Sequence, residues 1–393
     1  MRQKRFLLVA TQQILFLFYL ILTTFFYFLA IRQGNEGVTF RFLGGGDDGM
    51  FYWEESQKIA AGQEAILTSI YPLIIGNIMR ITGIESVYFI RIFNYFGFII
   101  LTFLGLYLIR LFYKLEQIKL GRDLNPIYTS KILMLLSFVC YVSLFMNISL
   151  SINRDIWIYS FYILSLILSI KVIFNKKNRF LFLILLFPSL WLLGEFRGYA
   201  LASFIISIIL YLLYKGFLKL RRPILTLTAF ITVFGVYYTL FMDYSIPYLD
   251  MSLRGALNYR HSAITLYSGG SQMWINLDHP FFPVFFINYF HSFIGNLIGP
   301  LPWHLSGIST LFIFLFETIP MILILLFIWK KRNLLSKVQI YVLLHAFVWI
   351  GLIAVTNDNI GTATRLRAVG WILILIVFVS VYSKNRYFKK KII

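Results

Sequence analysis

The sequence predicts an all-α, polytopic membrane protein with about ten transmembrane helices. Apolar residues fill 59% of the 393 positions, charged residues only 13%, and mean hydropathy is +0.78. A soluble chain of this length carries about twice that charge fraction to cover its surface. Forty-one Phe and twenty-five Tyr suit packing against lipid and interfacial belts. The net charge of +20 would point to nucleic acid in a soluble protein. In a polytopic chain it follows from cytoplasmic loops that collect Lys and Arg, so no nucleic-acid partner is expected. The single cysteine, Cys140, excludes an intrachain disulfide and makes a cysteine metal site implausible.

Taken in order, Met1-Arg2-Gln3-Lys4-Arg5 is a basic flank, and the apolar run from Phe6 to Ile31 is too long for a signal-peptide core. It is expected as a retained first span. Nine further apolar segments lie near 89–113, 132–152, 156–174, 180–194, 198–214, 224–242, 308–329, 338–355 and 368–383. Ten spans place both termini in the cytoplasm. Under that topology 25 of the 36 Lys and Arg residues are cytoplasmic and 11 lie outside, the asymmetry that orients such chains. Of the 16 acids, 13 lie outside, Glu116 and Asp123 inside, and Glu317 within a span. Acids contribute little to orientation, so their concentration outside points to outward-facing chemistry. The chain 1–393 is expected as one integral membrane domain, multi-pass in the cytoplasmic membrane.

Two outer segments are long, 32–88 and 243–307, and both keep apolar residues at helical spacing. In the first, a helix is expected after Asp47-Asp48-Gly49, with Glu54 and Lys58 as an i,i+4 pair. A second starts at Ser69, with Pro72 tolerated in its first turn. Both read as helices lying in the membrane interface.

Gly44-Gly45-Gly46-Asp47-Asp48 is the most informative stretch. Glycines let the backbone approach a ligand, and two adjacent carboxylates can bind a divalent cation or take a proton. One of them capping the next helix is the plainer reading, but capping needs only one. Asn153-Arg154-Asp155 forms a short outer turn. Either Asn153 caps the next helix with Asp155 in its first turn, or a carboxylate at that depth has a use. Glu195-Phe196-Arg197 is a simple ion pair or the lining of a polar cavity. Arg365 and Arg367 anchor the last span to headgroups or clamp a lipid phosphate. They sit about 200° apart on a helix, so one is expected to bind and the other to anchor, with Arg365 the binder. Glu317, three residues before Pro320, is hydrogen-bonded or lines a pathway. The five histidines, His261, His279, His291, His304 and His345, have no zinc spacing. No Walker loop, nucleotide fingerprint or GxSxG elbow occurs, and no predicted cytoplasmic segment is long enough for a nucleotide-binding domain. An enzyme of this kind would draw its activated substrate from the membrane.

This layout resembles the GT-C glycosyltransferases, most closely the protein-mannosyltransferase-like and aminoarabinose-transferase-like branches. Those enzymes carry Asp-Glu-x-x-Tyr or a variant at the start of the first outer loop. Here Asp47-Asp48-Gly49-Met50-Phe51 matches, with Asp for Glu, Phe for Tyr, and Tyr52 one place late. The family's second acid falls on Asp155, and its late Arg on Arg365 or Arg367. The layout covers most of the chain, whereas the motif is short. The resemblance implies transfer of a sugar from a polyprenyl-phosphate donor to a glycan, lipid or protein acceptor on the extracytoplasmic face. It implies Asp47 as general base, with Asp48 and Asp155 orienting the acceptor or sharing Mg²⁺ or Mn²⁺. Arg154, Glu195, Arg197, Arg365 and Arg367 then belong to the donor-phosphate region. Two other readings stay open: a polymerase joining lipid-linked repeat units, which does not need the acid pair, and a transporter or flippase for a lipid-linked glycan, which usually shows internal repeats.

Overall fold

In the computed structural model the described residues are 2–41, 48–116, 125–175, 177–220, 223–246, 251–266 and 271–392. The chain is 81% helical and has no strand among the described residues. Eight helices there are long and apolar enough to cross a membrane, nine if one bent pair counts as a single span. The protein is therefore a multi-pass all-α membrane protein, and the count of ten spans is not confirmed among the described residues. The segment expected at 224–242 is helical, but within it only Ile231–Leu240 is counted, as a shorter apolar helix. The chain divides into two compact units. The first comprises Met1–Arg197, Phe327–Gln339 and Leu375–Ile393, and the second Gly198–Leu326 and Ile340–Ile374.

The first unit begins with α1 (Arg2–Arg32), α2 (Asp48–Ala60), α3 (Ile70–Thr82) and α4 (Val87–Leu115). It continues through α5 (Asn125–Cys140), α6 (Val142–Ser149), α7 (Asp155–Phe174) and α8 (Arg179–Phe196). The two helices expected between 32 and 88 are both present. Ser69 caps α3, its hydroxyl accepting from the Tyr71 amide, and Gly83 ends it in the left-handed conformation. Lys58 bonds Glu55 at 2.6 Å rather than the expected Glu54. Glu55 also accepts from the Ile66 amide at 2.6 Å, and these two bonds hold its carboxyl below the usual range. Glu55 thereby ties the loop after α2 back to the helix.

The span expected at 132–152 is broken: α5 and α6 meet at 66°. The bend frees the Phe138 carbonyl, and the Tyr19 hydroxyl of α1 donates to it at 2.8 Å. In a membrane such a carbonyl must find a partner inside the protein. At the far end of α4, Glu116 and Lys384 form a buried ion pair, and Lys384 also donates to Gln339 at 3.1 Å.

The second unit holds α9 (Gly198–Leu220), α10 (Pro223–Leu240), α11 (Leu253–Leu266) and α12 (Phe282–Ile298). After these come α13 (Ile308–Ile313), most of α14 (Ile319–Lys330) and α15 (Lys337–Thr356), then α16 (Ile360–Leu366) and the start of α17 (Ala368–Ile392). One π-helical turn, Phe314–Thr318, joins α13 to α14 into one apolar run. A cluster of Tyr238, Met242, Leu257, Met273, Ile275, Leu277, Phe285 and Ile360 forms the core of its long non-spanning segment. Beside it, buried Arg260 bonds the carbonyls of Ala354, Asn357 and Ile275, the Ser292 hydroxyl, and the Asp358 carboxylate. Removal from water lowers the pKa of Arg260, and Asp358 works against that shift.

Candidate active site

The site is built around the N-terminal end of α2. Gly49 lies so close to the chain that a Cβ there would fall 2.1 Å from Ser151 Oγ and 2.8 Å from Thr39 Oγ1. Those hydroxyls bond each other at 2.7 Å, and the Phe40 amide donates to the Leu150 carbonyl at 2.8 Å. Any Cβ where α2 meets this bridge would have to displace these hydroxyls. Arg91 of α4, 1% exposed, fastens the bridge from behind. Its guanidinium donates to the carbonyls of Gly37 at 2.7 Å, Val38 at 3.1 Å, Ser149 at 2.6 Å and Leu150 at 3.1 Å. No carboxylate pairs with Arg91 among the described residues, so its role is to join two backbone segments.

The bridge sets the start of α7. Asn94 of α4 donates to the Asn153 carbonyl at 3.0 Å and accepts from the Tyr71 hydroxyl at 3.1 Å and the Trp157 indole at 3.0 Å. One of the two readings of this turn had Asn153 capping the helix, but the capping position is Arg154, with no side-chain cap bond. The Asn153 backbone is held from outside instead. Arg154 donates to the Thr68 carbonyl at 3.0 Å and stacks over the Tyr52 ring at 5.6 Å. Asp155, the first residue of α7, is 3% exposed, and Arg197 bonds it at 3.2 Å. The positive end of α7 favours a carboxylate there as well.

Tyr52 lies at the middle of this arrangement. It is 6% exposed and packs edge-on against the fully buried Tyr71 with ring centroids 5.4 Å apart. Burial raises the Tyr52 pKa. The field of Arg154 opposes that shift, those of Asp155 and Asp48 add to it, and that of Arg197 opposes it. The phenol therefore stays protonated, and its hydroxyl makes no hydrogen bond among the described residues. Two carboxylates and two guanidiniums thus act on one buried, neutral hydroxyl.

Of the residues expected from sequence, Asp48, Arg154, Asp155 and Arg197 come together here. Asp47, with the glycines before it, lies outside the described residues. Glu195 is exposed, and Arg197 turns to Asp155 rather than to it. Arg365 and Arg367 belong to the second unit. Arg365 is half-buried in the last turn of α16. Arg367 was expected as a headgroup anchor, but it is fully buried and bonds Glu317 at 2.6 Å and the Gly299 carbonyl. A buried charge in an apolar surrounding is tolerated when paired, and Glu317 supplies the pair from the π-helical turn.

The sequence reading noted Tyr52 only as the displaced tyrosine of the resembled motif and gave it no role, although a further signal was there. It stands four residues after Asp48, on the same helix face. The described residues do not assemble a cation site: no group of three or more His, Cys, Asp or Glu occurs among them, and Asp155 is turned to a guanidinium. No family model, curated protein or solved structure matches this chain.

Proposed function

We propose that the protein is a membrane glycosyltransferase that moves a sugar from a polyprenyl-phosphate donor to an acceptor on the extracytoplasmic face. The observation that supports this reading is the gathering of Asp48, Asp155, Arg154 and Arg197 around Tyr52. Acids and guanidiniums side by side suit a reaction that removes a proton at one atom and releases a phosphate at another.

In the proposed step, the acceptor hydroxyl oxygen attacks the anomeric carbon of the donor sugar. The new C–O bond forms as the bond from that carbon to the phosphate oxygen breaks, and the electron pair leaves with polyprenyl phosphate. The acceptor proton passes to the Asp47–Asp48 pair, with Asp47 as base and Asp48 orienting the acceptor. Arg154 and Arg197 balance the charge that grows on the leaving phosphate. Asp155 aims Arg197 through their 3.2 Å contact, and the neutral Tyr52 hydroxyl donates to the substrate.

Mass spectrometry of surface glycans and lipid-linked sugars in a deletion strain tests the reading. Loss of one sugar residue at full chain length, with accumulation of its polyprenyl-phosphate donor, is the expected result. Shortened chains built from intact repeat units would favour the polymerase, and an unchanged profile would overturn both.

A further inference from the structure

One face of α4 is left open between its neighbours. Phe96, Ile100, Phe103 and Tyr107 are exposed on it, and the exposed Arg110 and Lys114 continue the same row at steps of three and four residues. The row is apolar up to Tyr107 and basic after it. Gly97 and Tyr113 stand about 100° to either side of this row. On the Gly97 side α7 packs, with the Ser160 hydroxyl donating to the Gly97 carbonyl at 3.1 Å. On the Tyr113 side α5 packs, where the Tyr113 and Ser130 hydroxyls share a hydrogen bond at 2.9 Å. Each flanking helix adds a cation at the basic end of the row: α5 brings Lys131, the neighbour of Ser130, and α7 brings Lys171.

Lys171 is fixed beside the row. Its Nζ lies 4.9 Å from the centre of the Tyr107 ring and 4.4 Å from that of Phe182 in α8, held between two aromatic faces. Lys131 is half-buried, and the field of Arg110 reaches it. None of these cations forms an ion pair among the described residues, and Glu116, two residues beyond Lys114, is turned to Lys384 instead. Loop charges suffice to orient a span. Arg110 and Lys131 lie more than a turn inside their helices and act on each other, which orientation does not require. Like charges kept together at such a depth cost free energy unless an anion lies between them.

We propose that this end of α4 binds an anionic phospholipid, its phosphate among Arg110, Lys131 and Lys171 and an acyl chain along Tyr107, Phe103, Ile100 and Phe96. Cations between membrane helices attract anionic headgroups, and a guanidinium matches phosphate oxygens. The apolar row supplies the second half of the match. From Phe96 to Tyr107 the helix rises about 16 Å, close to the ~15 Å hydrocarbon depth of one leaflet. A phosphate arriving from water would use the cations but have no need of the row. A second copy of this chain would have to bring acids to the basic end. The lipid site does not rest on the proposed transfer, and the expected orientation puts it in the cytoplasmic leaflet.

Native mass spectrometry and thermal unfolding of the full-length protein test the site. The protein is delipidated in a neutral detergent and supplied with phosphatidylglycerol, cardiolipin or phosphatidylcholine. Wild type should retain an anionic lipid over phosphatidylcholine by about tenfold or more, and only the anionic lipids should raise Tm. Arg110→Gln and Lys131→Gln should each weaken that retention about fivefold, whereas Arg110→Lys, which keeps the charge, should lose less. Lys171→Met serves in the same test if Lys131→Gln fails to fold. In phosphatidylcholine alone, Lys131→Gln should be at least as stable as wild type, because repulsion from Arg110 is gone. A lysine with a merely structural role would lower Tm in every lipid. Equal retention of both lipid classes by wild type, or unchanged selectivity in the variants, would overturn the site. So would equal stabilisation by inorganic phosphate, or a dimer that Arg110→Gln dissociates, since a free anion or a second copy would then be the occupant.

Discussion

Tyr52 is buried on one side by Tyr71 and crossed on the other by Arg154, yet its hydroxyl bonds nothing among the described residues. Removing that oxygen should therefore leave stability nearly unchanged. If it donates to a charged substrate, Tyr52→Phe should lower transfer about ten- to a hundredfold, the worth of a hydrogen bond to a charged group. Thermal unfolding in detergent and transfer rate, measured on the same preparation, check both halves. Arg197→Lys keeps the charge but loses the planar fork that meets Asp155, so a similar drop in transfer is expected with the protein still folded. Arg91 behaves in the opposite way. Arg91→Leu leaves the buried carbonyls of Gly37, Val38 and Ser149 without this donor, while Leu150 keeps the Phe40 amide, and a loss of about 3 kcal/mol or more is expected from that count. Arg91 was not legible beforehand, because an arginine that bonds only backbone carbonyls has no partner residue to form a pattern. Glu317 and Arg367 were equally opaque as a pair, lying 50 positions apart with no periodicity to link them.

The helices of the first long segment were the more legible part. Ser69 announces α3 because a short side-chain oxygen satisfies an amide at a helix start, and Asp48 opens α2. The break between α5 and α6 was not legible, since the run across Cys140 is mostly apolar and contains neither Gly nor Pro. That break brings Ser149 to Ser151 beside Thr39, and so it seats α2. Gly49→Ala tests the seat. The added Cβ would fall 2.1 Å from Ser151 Oγ, so either the Ser151–Thr39 hydroxyl pair or α2 must shift, and transfer should fall at least tenfold. Adding Ser151→Gly removes the nearest obstacle and should restore part of the activity. A double variant no better than Gly49→Ala would show that the contact with Ser151 does not position the site.

Across the whole molecule, fold class followed from composition alone, because 13% charge cannot cover 393 residues in water. The count of ten spans is not confirmed: eight or nine qualify among the described residues, where the span expected at 224–242 is represented only by Ile231–Leu240 of α10. The proposed orientation is checked by thiol labelling of introduced cysteines. Gln63 and Asn333 are both exposed, the first between α2 and α3 and the second between α14 and α15. In intact cells an impermeant reagent should label Cys at position 63 and not at 333. Gln339, at the start of the span expected at 338–355, is fully buried and would report nothing.

The central claim is that the charges around Tyr52 perform the transfer, and the lipid-linked sugar pool of a deletion strain carrying Asp155→Asn measures it most directly. Asn is nearly the same size as Asp but gives Arg197 no anion to pair with, so the protein should persist in the membrane while Arg197 loses its aim. Mass spectrometry should find the polyprenyl-phosphate sugar accumulated and the corresponding glycan residue depleted, as in the strain without the gene. Wild-type levels of both, with the variant protein present in the membrane, would contradict the account.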